Sequence, residues 1–284
     1  MSFQDKLKEK FNDDNEILDL LPKKFQRVGD IIILTLDEKL KNYEKKIGEK
    51  ILEMFPGVKS VCVKDGGIIG EFRKPQIRLI FGNENTKTVH SENGCFYVLD
   101  VKKVMFAKGN VSERVRISEQ IKTPETILDM FAGIGYFSIP IGKLSPCEKI
   151  YSIELNPESF EFLKEGLIKN KITEKVIAIN GDSKIETEKL INEYGRFADR
   201  VLLGYLPPPV EFLPYAMRAV KRGGVIHYED LVKVDEKEKE IDRVMKMVDN
   251  IAKKEGFEAE LLLAKKIKGY APKIDHYVFD IKVV

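Results

Sequence analysis

The sequence predicts an α/β protein: a doubly wound, mainly parallel sheet with helices on both faces and a terminal antiparallel hairpin, preceded by a small α+β domain. Three observations predict it. From Thr126 onward, strand-like and helix-like patterns alternate, which is the signature of βαβ units in a parallel sheet. The last two strand patterns, ELLLAKKI and HYVFDIKVV, are separated only by a short connection containing Gly269, Pro272 and Lys273, which suits a hairpin better than a crossover. Upstream of Phe106, short β-like runs and turn residues surround one amphipathic helix.

In chain order, residues 1 to about 22 mix charge with Phe11, Ile17, Leu18, Leu20 and Leu21, which suits one or two short surface helices ending near Pro22. FQRVGDIIILTL is β-rich with a turn or bulge at Gly29-Asp30, and Leu40, Tyr43, Ile47, Ile51, Leu52 and Phe55 then recur at helical spacing until Pro56-Gly57. VKSVCVK, GGIIGEF, QIRLIFG, TKTVHSENG and CFYVLDV predict a small sheet, expected to be antiparallel. A helix is expected over 111–121. Strands at TILDMF, KIYSIEL, KVIAIN, DRVLLGYL and GGVIHYED follow, with helices over 136–143, 157–170, 184–193, 210–221 and 235–255. The expected domains are 1–109 and 110–284.

Composition narrows the class. With 43% hydrophobic and 33% charged residues, 48 Lys+Arg against 46 Asp+Glu, the chain is globular and nearly neutral, so any nucleic-acid surface is local. Between Lys59 and Lys122, twelve Lys/Arg stand against seven Asp/Glu; this is either a solvated sheet face or a phosphate-contacting one. Cys62, Cys95 and Cys147 form no C-x-x-C pair, and no apolar run has membrane-spanning length. A cytoplasmic protein with no metal and no membrane contact is expected, acting as a monomer.

ILDMFAGIGYFSIP, residues 127–140, holds the chemistry. An apolar strand, a turn with Gly133 and Gly135, and a helix start present unpaired amides to a ligand lying against the backbone. An ordinary βα turn has the same pattern. Distance along the chain sharpens it. Glu154, in Ile153-Glu154-Leu155-Asn156-Pro157, stands about 20 residues on at a second strand tip, where a carboxylate accepts from ribose hydroxyls. Asn180-Gly181-Asp182 ends the third strand and Gly204-Tyr205-Leu206-Pro207 the fourth, so four tips define one crevice.

These motifs resemble the class I S-adenosylmethionine (SAM)-dependent methyltransferase, or Rossmann-like, domain over residues 126–284. Ser138 stands where a dinucleotide dehydrogenase would carry its third glycine. The resemblance implies cofactor contacts at Asp129, Phe131, Ala132, Gly133, Gly135, Glu154, Leu155, Asn156, Gly181, Asp182 and Gly204. His90-Ser91-Glu92-Asn93-Gly94, Leu99-Asp100-Val101, Val104-Met105-Phe106 and Ser112-Glu113-Arg114 extend it upstream to the archaeal and eukaryotic tRNA position-37 enzymes, over roughly residues 20–284. That family implies tRNA as partner, bound through its anticodon loop. It holds guanine N1-methyltransferases and the wybutosine-pathway enzymes that transfer a 3-amino-3-carboxypropyl group to C7 of 4-demethylwyosine.

Departures favour the second activity. Phe106-Ala107-Lys108-Gly109-Asn110-Val111-Ser112-Glu113-Arg114 keeps the acid of the methyltransferases' F-S-P-R-x-x-x-E-R pattern but loses its first arginine, and Tyr205-Leu206-Pro207 replaces their Asn-Leu-Pro. The additional N-terminal domain common in those enzymes has no counterpart in the first 20 residues. Lys108, Arg114 and Arg116 are the expected holders of the methionine carboxylate, with Glu113 near the reacting centre. Arg116 could instead pair with Glu113 or Glu119 along a helix. Tyr205 and Pro207 offer an apolar wall for a tricyclic base, or ordinary strand-end core. His227 suits a core histidine, and His90 and Asn93 suit a turn. A noncatalytic RNA-binding module with a vestigial cofactor fold is the reading from another class.

Overall fold

The computed structural model describes residues 1–11, 15–106 and 108–284, apart from the side chains of Asn15 and Lys108. The chain divides into two compact units, residues 1–107 and 108–284.

In the first unit, α1 (Phe3–Lys8) starts on a capping box between Ser2 and Asp5. Leu7, Phe11, Ile17 and Leu21 are buried, so this segment is part of a core and not the surface decoration its charge suggested. Strands β1 (Gln26–Val28) and β2 (Ile31–Leu34) form a tight antiparallel pair. A 3-10 turn over Glu38–Tyr43 leads into α2 (Glu44–Met54), whose Ile47 and Ile51 face inward. β3 (Ser60–Ile69) and β4 (Lys74–Gly82) complete a sheet of order β1-β2-β3-β4. Among the runs expected to form an antiparallel sheet, β3 pairs with β4 antiparallel; β2, which lies outside those runs, joins β3 in parallel, because α2 serves as the crossover that a parallel pair requires. VKSVCVK and GGIIGEF, read as two runs, mostly fall within the single long strand β3. β5 (Lys87–Glu92) and β6 (Cys95–Asp100) form a separate hairpin. Its Asn93-Gly94 turn has positive φ at both residues, the conformation that matches strand twist.

The second unit opens with α3 (Val111–Gln120) and alternates thereafter: β7 (Thr126–Asp129), α4 (Ser138–Leu144), β8 (Lys149–Glu154), α5 (Pro157–Asn170), β9 (Val176–Asn180), α6 (Ser183–Tyr194), β10 (Ala198–Leu203), α7 (Leu213–Ala219), β11 (Val220–Lys233), α8 (Lys237–Lys254), β12 (Ala259–Ala271) and β13 (Ile274–Val283). The sheet order is β12-β13-β11-β10-β7-β8-β9. β7 to β11 run parallel, while β13 is antiparallel to both β11 and β12. The terminal hairpin is therefore present at one side of the sheet. The order reverses between β7 and β10, and ligands of such sheets bind outside the strand carboxyl ends at that reversal. Leu128, Val201, Ile226 and Phe279, all fully buried, carry the core across the central strands. No helix among the described residues is long and apolar enough to cross a membrane.

Candidate active site

The β7–α4 turn is fastened at both sides before any ligand arrives. Met130 N donates to Leu202 O at 3.1 Å on β10, and Ala132 N donates to Ile153 O at 2.9 Å on β8. Gly133 and Gly135 have φ of +58° and +93°. At Gly135 a Cβ would also lie within 3 Å of Ile139 and Leu163 side chains, so only glycine keeps α4 this close to α5. Beneath the turn, Asp129 is fully buried. It accepts from Ser138 Oγ at 2.6 Å, and that hydroxyl shares a 2.7 Å hydrogen bond with Ser152. Burial pushes the Asp129 carboxyl up to about 6. Its side chain thus braces the turn from below and has no exposed face to offer a ligand, which corrects the direct cofactor contact expected of it.

Glu154 is tied to the same turn. Its carboxylate accepts from Gly133 N at 2.7 Å and Asn156 N at 2.8 Å, leaving further lone pairs for two ribose hydroxyls. Burial raises this carboxyl and the two backbone N–H groups oppose the rise. Asn156 caps α5 by accepting from Glu158 N, with Pro157 in the first turn. Leu155 is 43% exposed beside it. Asp182 caps α6, accepting from Lys184 N at 2.7 Å, and Gly181 N donates to Glu154 O at 3.1 Å. Ser183 Oγ donates to Met130 O, which ties the third tip to the first.

At the fourth tip the Tyr205 ring stacks on Phe131, with centroids 5.1 Å apart and planes 20° apart, and Phe131 meets Phe212 edge-on at 4.8 Å. Gly204 lies against Phe137, whose ring is 2.6 Å from where a Cβ would stand. Leu206-Pro207 is a cis peptide, with Leu206 buried and Pro207 exposed. The tip is an aromatic wall without an amide side chain.

The basic residues separate. Arg114, on the buried face of α3, places its guanidinium carbon 4.9 Å from the centroid of Tyr136, the residue just after Gly135. Arg116 does not join it. Its guanidinium is held by Glu113 at 2.8 and 2.5 Å and by Asp280 at 2.6 and 2.9 Å, so the helix pairing prevails over a role in carboxylate capture. Glu113, expected near the reacting centre, is fully buried under that guanidinium, with Lys265 Nζ a further 3.9 Å away, so its carboxylate is engaged in an ion cluster. The Lys108 side chain lies outside those described.

The pattern of charge along α3 concealed what lies behind it. Asp280 on β13 also receives His227 Nδ1 at 2.6 Å and Gln120 Nε2 at 3.1 Å. Arg200 on β10 then reaches His227 Nε2 at 2.7 Å and Glu125 at 3.0 Å. Burial alone would raise Asp280, but His227 and Arg116 hold it well below the usual carboxylate range. Among the described residues, no group of His, Cys, Asp and Glu could hold a metal ion.

The arrangement fits a nucleoside cofactor: a glycine cradle, a carboxylate fixed for ribose, and a cleft floor kept small at Gly181. Comparison with known proteins agrees. The TRM5/TYW2 methyltransferase domain model matches residues 88–262 and the TYW2 N-terminal domain model residues 3–86. The tRNA(Phe) (4-demethylwyosine(37)-C(7)) aminocarboxypropyltransferase of Pyrococcus horikoshii is 40% identical, covering 94% of this chain and 92% of that protein. The tRNA (guanine(37)-N(1))-methyltransferase Trm5b of Pyrococcus abyssi is 34% identical, over 96% of this chain and 78% of that one. The crystal structure of P. horikoshii TYW2 in complex with MeSAdo superposes with a TM-score of 0.82 at 35% identity, covering 99% of both chains. The chain belongs to the TRM5/TYW2 family.

Proposed function

We propose that the protein transfers the 3-amino-3-carboxypropyl group of S-adenosylmethionine to C7 of 4-demethylwyosine at position 37 of tRNA(Phe), releasing methylthioadenosine. The observation that carries this is end-to-end likeness to an aminocarboxypropyltransferase, through both family models and with 92% of that relative covered. When bound, the cofactor supplies a sulfonium whose attached carbons are all electrophilic, so regiochemistry is a matter of orientation. Glu154 holds the ribose, and Leu155, Gly181 and Asp182 border the adenine. The Ala132 to Gly135 turn lines the approach to the methionine part, whose carboxylate Arg114 and Lys108 fix. Tyr205, backed by Phe131, presents its outer face to the tricyclic base, and Pro207 bounds the entrance.

Guanine-37 N1-methylation is the second reading, supported by the P. abyssi relative. Against it stands the aromatic tip at Tyr205, which supplies no amide for a guanine edge. The residue 1–107 unit contributes tRNA contact, directed at the anticodon loop, and the enzyme works as a cytoplasmic monomer. The deciding experiment incubates tRNA bearing 4-demethylwyosine with cofactor labelled in the methyl or in the methionine carboxyl carbon. Carboxyl label entering tRNA is expected; methyl label entering it instead overturns the assignment.

A further inference from the structure

The residue 1–107 unit contains a cavity of about 320 Å³ that no step of the proposed reaction uses. That volume is at the lower end of the roughly 300–1,000 Å³ of small-ligand sites. One wall is the outer half of the β3–β4 hairpin, next to its turn, and the other comes from β1, β2 and the segment after β6 that ends at Phe106. Most of the lining is apolar, with two glutamines facing the space. Gln26 Nε2 donates to Phe106 O and Gln76 Nε2 to Gly67 O, each at 3.2 Å. Each amide is thereby oriented by one N–H, while its oxygen and second N–H stay available. An amide with a donor and an acceptor side by side is the group that meets the edge of a nucleobase, and apolar walls suit its faces.

Lysines lie in and next in sequence to the lining. Lys64 lines the cavity, Lys74 precedes the lining Pro75, and the exposed Lys102 and Lys103 lie between the lining Val101 and Val104. Asp65, beside Lys64 in sequence, is committed to Arg78 at 2.9 and 3.1 Å and does not offset them. At the hairpin tip, Ile68, Ile69 and Phe72 are 44%, 53% and 49% exposed. An apolar slot with two base-edge amides, set among lysines, is complementary to an unpaired nucleotide with its phosphates.

We infer that this cavity binds an unpaired base of the tRNA substrate, a second nucleotide distinct from the one that is modified. The inference rests on the proposed tRNA reading and adds a base-holding site in the residue 1–107 unit. The amides set which base edges fit, and the lysines make the contact salt-dependent.

The test uses a full-length Gln26→Ala/Gln76→Ala double variant and, separately, Gly67→Leu. A Cβ at Gly67 meets no atom within 4 Å, so the leucine takes up space without straining the backbone. Affinity is measured for a tRNA transcript and for a series of transcripts each lacking one loop base. Both variants are expected to bind the intact transcript roughly tenfold more weakly. One abasic position should reproduce that loss in the wild type and add nothing in the variants. SAM binding, followed by calorimetry, and the melting temperature should stay at wild-type values. Variants that bind tRNA within twofold of wild type overturn the inference, as does an additive loss at every abasic position. If wild-type protein transfers cofactor label to tRNA while the variants bind normally, only this inference fails. If wild-type protein does not bind tRNA, both readings fail.

Discussion

His227 donates from Nδ1 to Asp280 at 2.6 Å across the β11–β13 pair, while Arg200 Nη1 stands 2.7 Å from the opposite ring nitrogen. Arginine can only donate, so Nε2 must accept and the imidazole is the neutral Nδ1–H tautomer. A proton on Nε2 would oppose an N–H to an N–H.

Acid therefore acts on the unfolded chain first. Burial holds the His227 pKa below its ordinary 6.5, against the pull of Asp280. The unfolded histidine gains a proton as pH falls through 6.5 and the native one does not, so stability present above that value is lost below it. The melting temperature should fall between pH 7 and 5.5, and His227→Gln should flatten that slope. Parallel pH curves for the two proteins would contradict the assignment.

Asp129 has the opposite sign. Its carboxyl rises from an ordinary 3.8 to about 6 in the folded protein, so its contribution is present below about 4 and lost as pH climbs through 6. Asp129→Asn keeps an acceptor for Ser138 and removes the buried charge. It should stabilise the protein at pH 7 by on the order of 3 kcal/mol, with the gain vanishing near pH 4. Urea unfolding at both pH values measures this.

Arg116→Ala leaves Glu113 and Asp280 with buried negative charge, at a cost of about 3–5 kcal/mol. Arg116→Lys should recover little, because a single ammonium cannot serve two carboxylates in fork geometry. Equilibrium unfolding of the pair of variants tests it, and full rescue by lysine would show that charge alone matters there.

Glu154→Gln retains one acceptor oxygen but loses the charge that receives both backbone and ribose donors. SAM affinity should drop roughly 10- to 100-fold by calorimetry, on the scale of a hydrogen bond to a charged group. Unchanged affinity would remove Glu154 from the ribose site.

Tyr205→Ala should raise the KM for tRNA about tenfold, the value of one base–aromatic stack, while Tyr205→Phe, which keeps the ring on Phe131, should stay near wild type. Steady-state transfer kinetics separate stacking from hydroxyl chemistry: equal damage in both variants would assign the role to the hydroxyl.

The strand tips, the glycine turn and the terminal hairpin were legible because each is written in contiguous residues whose local chemistry matches the turn it makes. The pairing of β2 with β3 was not, since alternation identifies a strand without naming its neighbour. The fates of Glu113 and Arg116 were hidden for another reason. Buried charge on α3 looks, in sequence, like a solvated helix face, and the partner that reverses this reading is Asp280, 164 residues away. Among the three basic residues chosen for the methionine carboxylate, only the structure distinguishes Arg114, beside Tyr136, from the fully engaged Arg116.

That same Arg116–Asp280 contact joins the first helix of its unit to the last strand. Closing so large a loop carries an entropy cost before any contact compensates it, which slows folding. Through this contact the two ends of the unit are held together, so fraying of the C-terminal strand would also loosen the helix that carries Arg114 beside Tyr136.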